Sequence, residues 1–285
     1  MTTPASNSVA DSSDIKRPSE FYDSDSLFKK RIKTGEESEN QVNTAKASNA
    51  NSSAREGFFE IEADAAEDKG SRHTMEDAWV VLHDAAFNFP GILRCAHFAI
   101  YDGHGGRLAA DYAQKHLNEN VLSAGLPREL LDVKSAKKAI LNGFRKTDEA
   151  LLLESAAGGW QDGATAVCVW ILDQTAGGSV STNGRLQGRL EVSRAFGDRQ
   201  FKKVGVVAIP DVSSFDLTGR DHFIILGCDG LWGVFGPSDA VAFVHRLLQE
   251  GQPVTTISRR LVREAIRERQ CKDNCTAIVI VFRQQ

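Results

Sequence analysis

Hydrophobic residues recur at two spacings along this chain, and each spacing predicts a different kind of element. Short apolar runs rich in aromatic and β-branched residues predict strands, whereas apolar positions three or four residues apart predict helices. The predicted strands are residues 58–62, 78–82, 97–101, 165–172, 190–193, 223–227 and 276–282. The predicted helices are residues 108–121, 135–153 with Ser135 as N-cap, 238–249 and 255–269. Strands outnumber helices without alternating strictly with them, so the pattern favours an α+β fold with antiparallel sheets over a doubly wound one.

The N-terminal part of the chain lacks this patterning. It is rich in Ser, Thr, Asn, Asp, Glu and Lys, and such a stretch buries too little apolar surface to offset the entropy of ordering it. We therefore expect a disordered tail over residues 1–55 and a folded domain over residues 57–285. Within the tail, two basic clusters at residues 16–17 and 29–33 resemble a bipartite nuclear import signal. An ordinary solvated tail is the alternative interpretation.

Composition narrows the class of protein. The 285 residues are 41% hydrophobic, enough for one large domain or two small ones, and the formal net charge of −4 gives no bias toward nucleic acid or an anionic membrane. No apolar run approaches the ~20 residues of a membrane helix, and no apolar signal core is visible. The five scattered cysteines favour a reduced cytoplasmic or nuclear protein. Cys271 and Cys275 lack the two further suitably spaced ligands that a zinc site needs.

Acidic residues stand at the ends of several predicted strands. Asp102 follows residues 97–101, Asp229 follows residues 223–227, and Asp273 precedes residues 276–282. A single Asp-Gly after a strand is usually only a turn, but three carboxylates gathered at one rim would repel each other unless a cation lay between them. Hard divalent metals with oxygen ligands fill that role. The sequence therefore predicts a metal-dependent hydrolase, with the pair Glu76–Asp77 as further acidic candidates.

Two other side chains suit phosphate chemistry. The guanidinium fork of Arg72 matches a phosphate, although a surface salt bridge of little energetic value is the alternative. His104 lies between glycines and could protonate a leaving oxygen, although a lone loop histidine is more often inert. Neither a Gly-Lys-Ser/Thr phosphate loop nor a Gly-x-Ser-x-Gly elbow occurs. Residues 177–178 are predicted to form turns.

Six segments together resemble the motifs of the protein phosphatase 2C family of metal-dependent serine/threonine phosphatases, and of its plant members in particular. They are GSRHTMED at 70–77, YDGHGG at 101–106, DGATA at 162–166, GRLEVSRAFGD at 188–198, CDGLW at 228–232 and DN at 273–274. The resemblance extends over roughly residues 57–285. It implies a β-sandwich flanked by α-helices, with two Mg²⁺ or Mn²⁺ ions at one end, and a protein-serine/threonine phosphatase activity.

The resemblance also implies roles for particular residues. The implied metal ligands are Asp77, Asp102, the carbonyl of Gly103, Asp229 and Asp273, with Glu76 binding through water and Asp162 holding a third, weaker ion in some members. Arg72 would hold the substrate phosphate, and His104 would be the general acid. A metal-activated water would attack phosphorus in line. The implied partners are proteins phosphorylated on Ser or Thr, and kinases; nucleic acid and membranes are not expected partners, and a monomer is expected.

The chain departs from the family pattern after about residue 173. A Gly-Asp-Ser-Arg-like strand pair and the linker behind it are expected there, but residues 171–176 run directly into Gly177 and Gly178. The comparison with the family pattern therefore predicts an internal deletion in the catalytic domain, which removes inner strands and leaves their neighbours unpaired. Each buried backbone group left unpaired costs about 1–3 kcal/mol, against a total stability of about 5–15 kcal/mol. We therefore expect this form to be impaired. A pseudophosphatase that binds phosphoproteins or kinases is the alternative. A nuclease or phosphodiesterase is a third interpretation, but it would need a basic groove, which this mildly acidic chain does not indicate.

Overall fold

The computed structural model describes residues 59–86, 95–126, 133–172, 175–180, 183–186 and 190–284. The strands are β1 Phe59–Asp68, β2 Ala78–Leu82, β3 Cys95–His104, β4 Gly163–Leu172, β5 Thr175–Val180, β6 Asn183–Leu186, β7 Leu190–Val192, β8 Phe196–Gly197, β9 Asp211–Asp216, β10 Phe223–Gly227 and β11 Cys275–Gln284. The helices are α1 Leu108–Ser123, α2 Val133–Gly158, α3 Arg199–Lys202, α4 Asp229–Trp232, α5 Pro237–Gln249 and α6 Val254–Arg263, which continues into a π-helical segment, Glu264–Glu268.

Two antiparallel sheets form the centre of the molecule. One has the strand order β1-β11-β10, and the other has the order β2-β3-β4-β5-β9, with β8 also pairing with β4. Apolar side chains from β3, β4, β10 and β11 share one core between the sheets. Helices α1 and α2 cover the outer face of the second sheet, and α5 and α6 cover that of the first. The predicted α+β sandwich flanked by helices is therefore confirmed.

Alternation along β11 explains why this strand is buried on both faces. Ala277, Val279 and Val281 pack under α5 and α6, whereas Ile278 and Ile280 point into the core between the sheets. Successive side chains of a strand point to opposite faces, so a strand covered on both sides reads as a continuous apolar run. This explains why residues 276–282 show no polar alternation.

Several expectations from the sequence differ from the structure. Ser135 is not an N-cap, because it lies inside α2, whose described part begins at Val133. The helix predicted over residues 255–269 changes to π-helical geometry after Arg263. Gly177 and Gly178 lie in β5 rather than in turns, because β5 pairs with β4 on one side and β9 on the other. Strand pairing of this kind overrides weak local propensity.

Two other expectations concern the tail and the membrane. Residues 1–55, with both basic clusters, lie outside the described residues. Within the described part of the chain, every helix is too short or too polar to cross a bilayer.

Candidate metal centre and active site

A cleft of about 1220 Å³ contains most of the residues that the sequence predicts as functional. Those lining it are Arg72, Glu76, Asp102, Gly103, His104, Asp229 and Asp273. Of the remaining two, Asp77 is buried with 1% of its surface exposed, and Asp162 is 6% exposed. The structure thus brings together side chains from distant parts of the sequence.

Strand pairing explains how these carboxylates meet. Asp102 lies in β3 opposite Thr165 of β4, and Asp229 begins α4 directly after β10. β1 pairs with β11 so that Asp68 lies opposite Cys275, which carries the loop after β1 to Asp273. Each acidic residue is therefore placed by the end or start of a strand, as the sequence pattern predicts.

The carboxylates are close enough to affect each other's protonation. Oxygens of Asp102 and Asp229 and the Sγ of Cys228 all lie within 4.8 Å of one another. Burial, followed by the charges of Asp77 and Asp229, raises the pKa of Asp102 well above its usual value. Burial is also the main cause that raises the pKa of Asp77 to about 6. The hydrogen bond from Thr276 and the nearby thiol of Cys228 oppose this rise, and the charges of Asp229 and Asp273 add to it. The four carboxylates form one electrostatic cluster.

The environment of Asp77 tests whether this cluster suits a metal ion. Its Oδ2 accepts a hydrogen bond of 2.6 Å from the hydroxyl of Thr276, but its Oδ1 is buried and finds no hydrogen-bond partner among the described residues. A buried carboxylate oxygen without a partner is costly. Coordination of a hard divalent cation would supply the missing partner. The residues therefore fit Mg²⁺ or Mn²⁺.

Asn274 organises the loop that carries Arg72 and Glu76. Its Oδ1 accepts a hydrogen bond of 2.8 Å from the backbone N–H of Glu76, and its Nδ2 donates to the carbonyls of Lys69 at 3.1 Å and Thr74 at 2.9 Å. The side-chain amide is thus fully engaged in a residue that is 7% exposed. Sequence reasoning gave Asn274 no role, although the polar pair 273–274 directly before an apolar strand was a usable signal.

Arg72 lies at the cleft beside one of the carboxylates. Its Nη2 lies 2.7 Å from Oδ2 of Asp273, and the two side chains are 60% and 41% exposed. An exposed pair of this kind contributes little to stability. The guanidinium is therefore free to exchange a carboxylate for a phosphate at small cost.

His104 is paired with a carboxylate that sequence reasoning did not assign. Its Nε2 lies 2.7 Å from Oδ2 of Asp198, whose side chain is only 3% exposed. The signal available in the sequence was the Gly197–Asp198 pair at the end of a motif.

Asp162 contacts the start of helix α1. Its Oδ2 accepts a hydrogen bond of 3.0 Å from the backbone N–H of Leu108. Gly106, with φ +134°, leaves the room for this carboxylate, because a β-carbon at that position would overlap it. A carboxylate at a helix N-terminus satisfies an otherwise unpaired N–H and complements the helix dipole. The role of Asp162 toward a third ion stays a prediction.

Comparison with known proteins agrees with the fold and with this site. The chain belongs to the protein phosphatase 2C family, whose sequence pattern matches residues 61–176 and 174–275. It is a homologue of the protein-serine/threonine phosphatases of that family, the class EC 3.1.3.16. It is 61% identical to "Probable protein phosphatase 2C 8" of Arabidopsis thaliana, over 79% of this chain and 80% of that protein. It is 58% identical to "Probable protein phosphatase 2C 67" of Oryza sativa subsp. japonica, over 83% of this chain and 80% of that one.

A solved structure shares the fold at low sequence identity. The serine-threonine phosphatase 2C from Toxoplasma gondii superposes with a TM-score of 0.68 at 20% identity, covering 78% of this chain and 95% of that one.

The matches also bear on the predicted internal deletion. The family match breaks into two parts at residues 174–176. The match to the Arabidopsis protein runs over 280 positions, whereas 79% of 285 residues is about 225, so about 55 positions have no counterpart in this chain. The break coincides with the place where the sequence departs from the family pattern.

Proposed function

We propose that this chain hydrolyses phosphoserine and phosphothreonine in proteins, in the cleft described above, with two Mg²⁺ or Mn²⁺ ions. The observation that carries the proposal is the convergence of Asp77, Asp102, Asp229 and Asp273 on one cluster of mutually repelling carboxylates, of which Asp77 is buried. The implied ligand set also contains the carbonyl of Gly103, with Glu76 acting through water. With all four carboxylates ionised, cations between the members of the cluster would offset their repulsion.

The residues of the chain have separate tasks in this reaction. When bound, divalent ions supply an activated water nucleophile and positive charge for the phosphoryl oxygens. Arg72 binds the substrate phosphate through its guanidinium fork, in place of Asp273. His104 lines the same cleft and donates a proton to the departing serine or threonine oxygen.

The test is hydrolysis of a phosphothreonine peptide by the full chain, with and without Mn²⁺. We expect turnover only with the metal, and loss of both turnover and calorimetric Mn²⁺ uptake in Asp102→Asn. Asp221→Asn is the matched control, because Asp221 is an exposed aspartate that accepts hydrogen bonds from Thr218 in a loop before β10. Metal-independent turnover, or normal uptake by Asp102→Asn, contradicts the proposal.

We also propose that the missing segment lowers the stability and turnover of this form. In the described part of the chain, β10 pairs with β11 alone. Residues 165–167 of β4 pair with β3 on one side. On the other side, β5 pairs with residues 168–172 and β8 pairs with residues 163–164, so residues 165–167 have no strand partner there among the described residues. Both observations are consistent with the loss of neighbouring strands. Turnover equal to that of the Arabidopsis relative, with an equally cooperative melt, would refute this part of the proposal.

A pseudophosphatase that binds phosphoproteins or kinases is the second candidate, favoured by the same break in the domain. Asp102→Ala separates the two functions. A biological effect that survives loss of metal favours the binding role, and an effect that disappears favours catalysis.

A further inference from the structure

The backbone of Asp198 is held in an unusual conformation. Its φ of 50° lies in the left-handed region, which only one other described non-glycine residue, Gln270, enters. This conformation is unfavourable for a residue with a β-carbon and persists only when the surroundings of the residue determine it. The N–H of Asp198 donates to the carbonyl of Asp162 at 3.0 Å, and its own carbonyl accepts from the N–H of Phe201 at 2.7 Å.

The neighbouring residue is fixed as firmly. The N–H of Gly197 donates to Oδ1 of Asp148 at 2.9 Å, and Lys202 reaches from α3 to the other oxygen of Asp148 at 2.8 Å. Asp148 and Lys202 are both largely buried. Hydrogen bonds and an ion pair therefore hold the segment that carries Asp198 against α2 and the start of β4.

The effect of this arrangement is to present one carboxylate to one ring nitrogen. Oδ2 of Asp198 lies 2.7 Å from Nε2 of His104, and His104 lines the cleft. A β-carbon on Gly163 would overlap both of these atoms, so only glycine leaves room for the pair. Since a carboxylate accepts hydrogen bonds, Nε2 carries the hydrogen, which leaves Nδ1 as the nitrogen available to a substrate.

We propose that Asp198 is the positioning residue for His104. It fixes the ring with Nε2–H directed at the carboxylate, so that Nδ1 is directed at the leaving oxygen of the substrate. The inference rests on the proposed phosphatase function, because it assigns the orientation of the general acid of that same reaction.

The step that His104 assists balances as follows. A bond forms between the water oxygen and phosphorus, and the bond between phosphorus and the serine or threonine oxygen breaks. The proton on Nδ1 passes to that leaving oxygen, while the hydrogen on Nε2 stays on the ring, hydrogen-bonded to Asp198. The water keeps one hydrogen in the product phosphate and releases the other to solvent, from which Nδ1 regains its proton. A p-nitrophenolate leaving group is stable without a proton, so hydrolysis of p-nitrophenyl phosphate needs neither His104 nor its orientation.

The experiment compares the two substrates in Asp198→Asn and Asp198→Ala. Asparagine tolerates the left-handed conformation, so the first variant keeps the fold. Its amide can present an NH2 donor as well as an oxygen acceptor to Nε2, so it no longer fixes the ring hydrogen on that nitrogen. General-acid assistance contributes typically 10²–10⁴-fold, and we expect kcat for a phosphothreonine peptide to fall roughly tenfold or more at unchanged KM. For p-nitrophenyl phosphate we expect a loss of less than about threefold, because that reaction lacks the assisted step. Asp221→Asn serves again as the control.

A double-mutant cycle tests whether Asp198 acts through His104. If it does, adding Asp198→Asn to His104→Asn causes no further loss with the peptide. Equal losses with both substrates, or additive losses in the double variant, overturn the inference, because Asp198 would then act through the fold or the metals.

A second measurement does not depend on catalysis or on the variants. In ¹⁵N-histidine spectra of the wild-type chain, recorded at a pH at which the His104 ring is neutral, we expect the Nε2–H tautomer. An Nδ1–H tautomer overturns the inference. If the wild-type chain proves inactive, the phosphatase proposal fails while the spectra still decide the orientation of His104.

Discussion

The hydroxyl of Thr276 donates a hydrogen bond of 2.6 Å to one carboxylate oxygen of Asp77, and the other oxygen is buried without a partner among the described residues. This hydrogen bond connects the loop before β2 to the second residue of β11. One oxygen of the carboxylate is therefore stabilised by the protein itself, and the other oxygen is available to a cation.

The metal-free protein should lose stability as the pH rises. The folded-state pKa of Asp77, about 6, lies above the ordinary value of 3.8. A raised carboxyl pKa means that the folded state binds the proton more tightly, so the contribution is present below pH 3.8 and is lost as the pH rises through 6. The loss is on the order of 3 kcal/mol. Urea unfolding in a chelator from pH 4 to 7 measures it.

Asp77→Asn is the comparison for that experiment. Asparagine can still accept the hydrogen bond from Thr276 but does not titrate, so the variant should gain stability relative to the wild type between pH 4 and 6. Saturating Mn²⁺ should reverse the order at pH 7, because only the wild type gains the binding free energy. Parallel pH profiles for the two metal-free proteins would contradict the cause given for the shift.

Asn274→Ala should loosen the loop that carries Arg72. The substitution removes three hydrogen bonds of a buried amide, and each unsatisfied buried group costs about 1–3 kcal/mol. We expect a lower free energy of unfolding and a higher KM for the phosphopeptide. Asn274→Asp keeps the acceptor for Glu76 but places a carboxylate oxygen against the carbonyl oxygens of Lys69 and Thr74, so it should be at least as destabilising as alanine. If neither variant changes the KM, this loop does not contribute to substrate binding.

Variants of Asp162 distinguish two roles of its side chain, capping of helix α1 and binding of a third metal ion. Asp162→Ala removes the acceptor for the N–H of Leu108, and loss of such a contact costs about 0.5–2 kcal/mol. Asp162→Asn keeps an acceptor, so we expect near-normal thermal stability. Turnover as a function of Mn²⁺ concentration then reports on the third ion. A weaker response in Asp162→Asn supports that ion, and an unchanged response assigns Asp162 to the helix alone.

Arg72→Lys should weaken substrate binding while leaving stability intact. The lysine keeps the charge but loses the planar fork that matches a phosphate, and the pair that Arg72 makes with Asp273 is exposed. We expect KM for the phosphopeptide to rise roughly tenfold, which corresponds to about 1.4 kcal/mol, with an unchanged melting temperature. A wild-type KM in Arg72→Lys would place the phosphate elsewhere in the cleft.

The sequence predicts the parts of this fold that local patterns determine. Strands 78–82 and 223–227 lie where the apolar runs place them, and the carboxylates at strand ends were the main clue to the cleft. The glycines of β5 were misread because their strand conformation depends on the partners β4 and β9. Asp198 and Asn274 received no role, since their importance arises from contacts with residues 94 and 198–205 positions away. The pairs 197–198 and 273–274 mark these positions in the sequence, but the partners of Asp198 and Asn274 are visible only in the fold.

The pairing of β1 with β11 has a consequence for synthesis of the protein. Asp77 and Asp102 leave the ribosome long before Asp273 and the strand that both β1 and β10 pair with. Until β11 is made, a nascent chain lacks one acidic member of the cluster and the central strand of a whole sheet. The proposed metal site is therefore complete only after translation has passed this strand, and we expect incomplete chains to be inactive toward phosphoproteins.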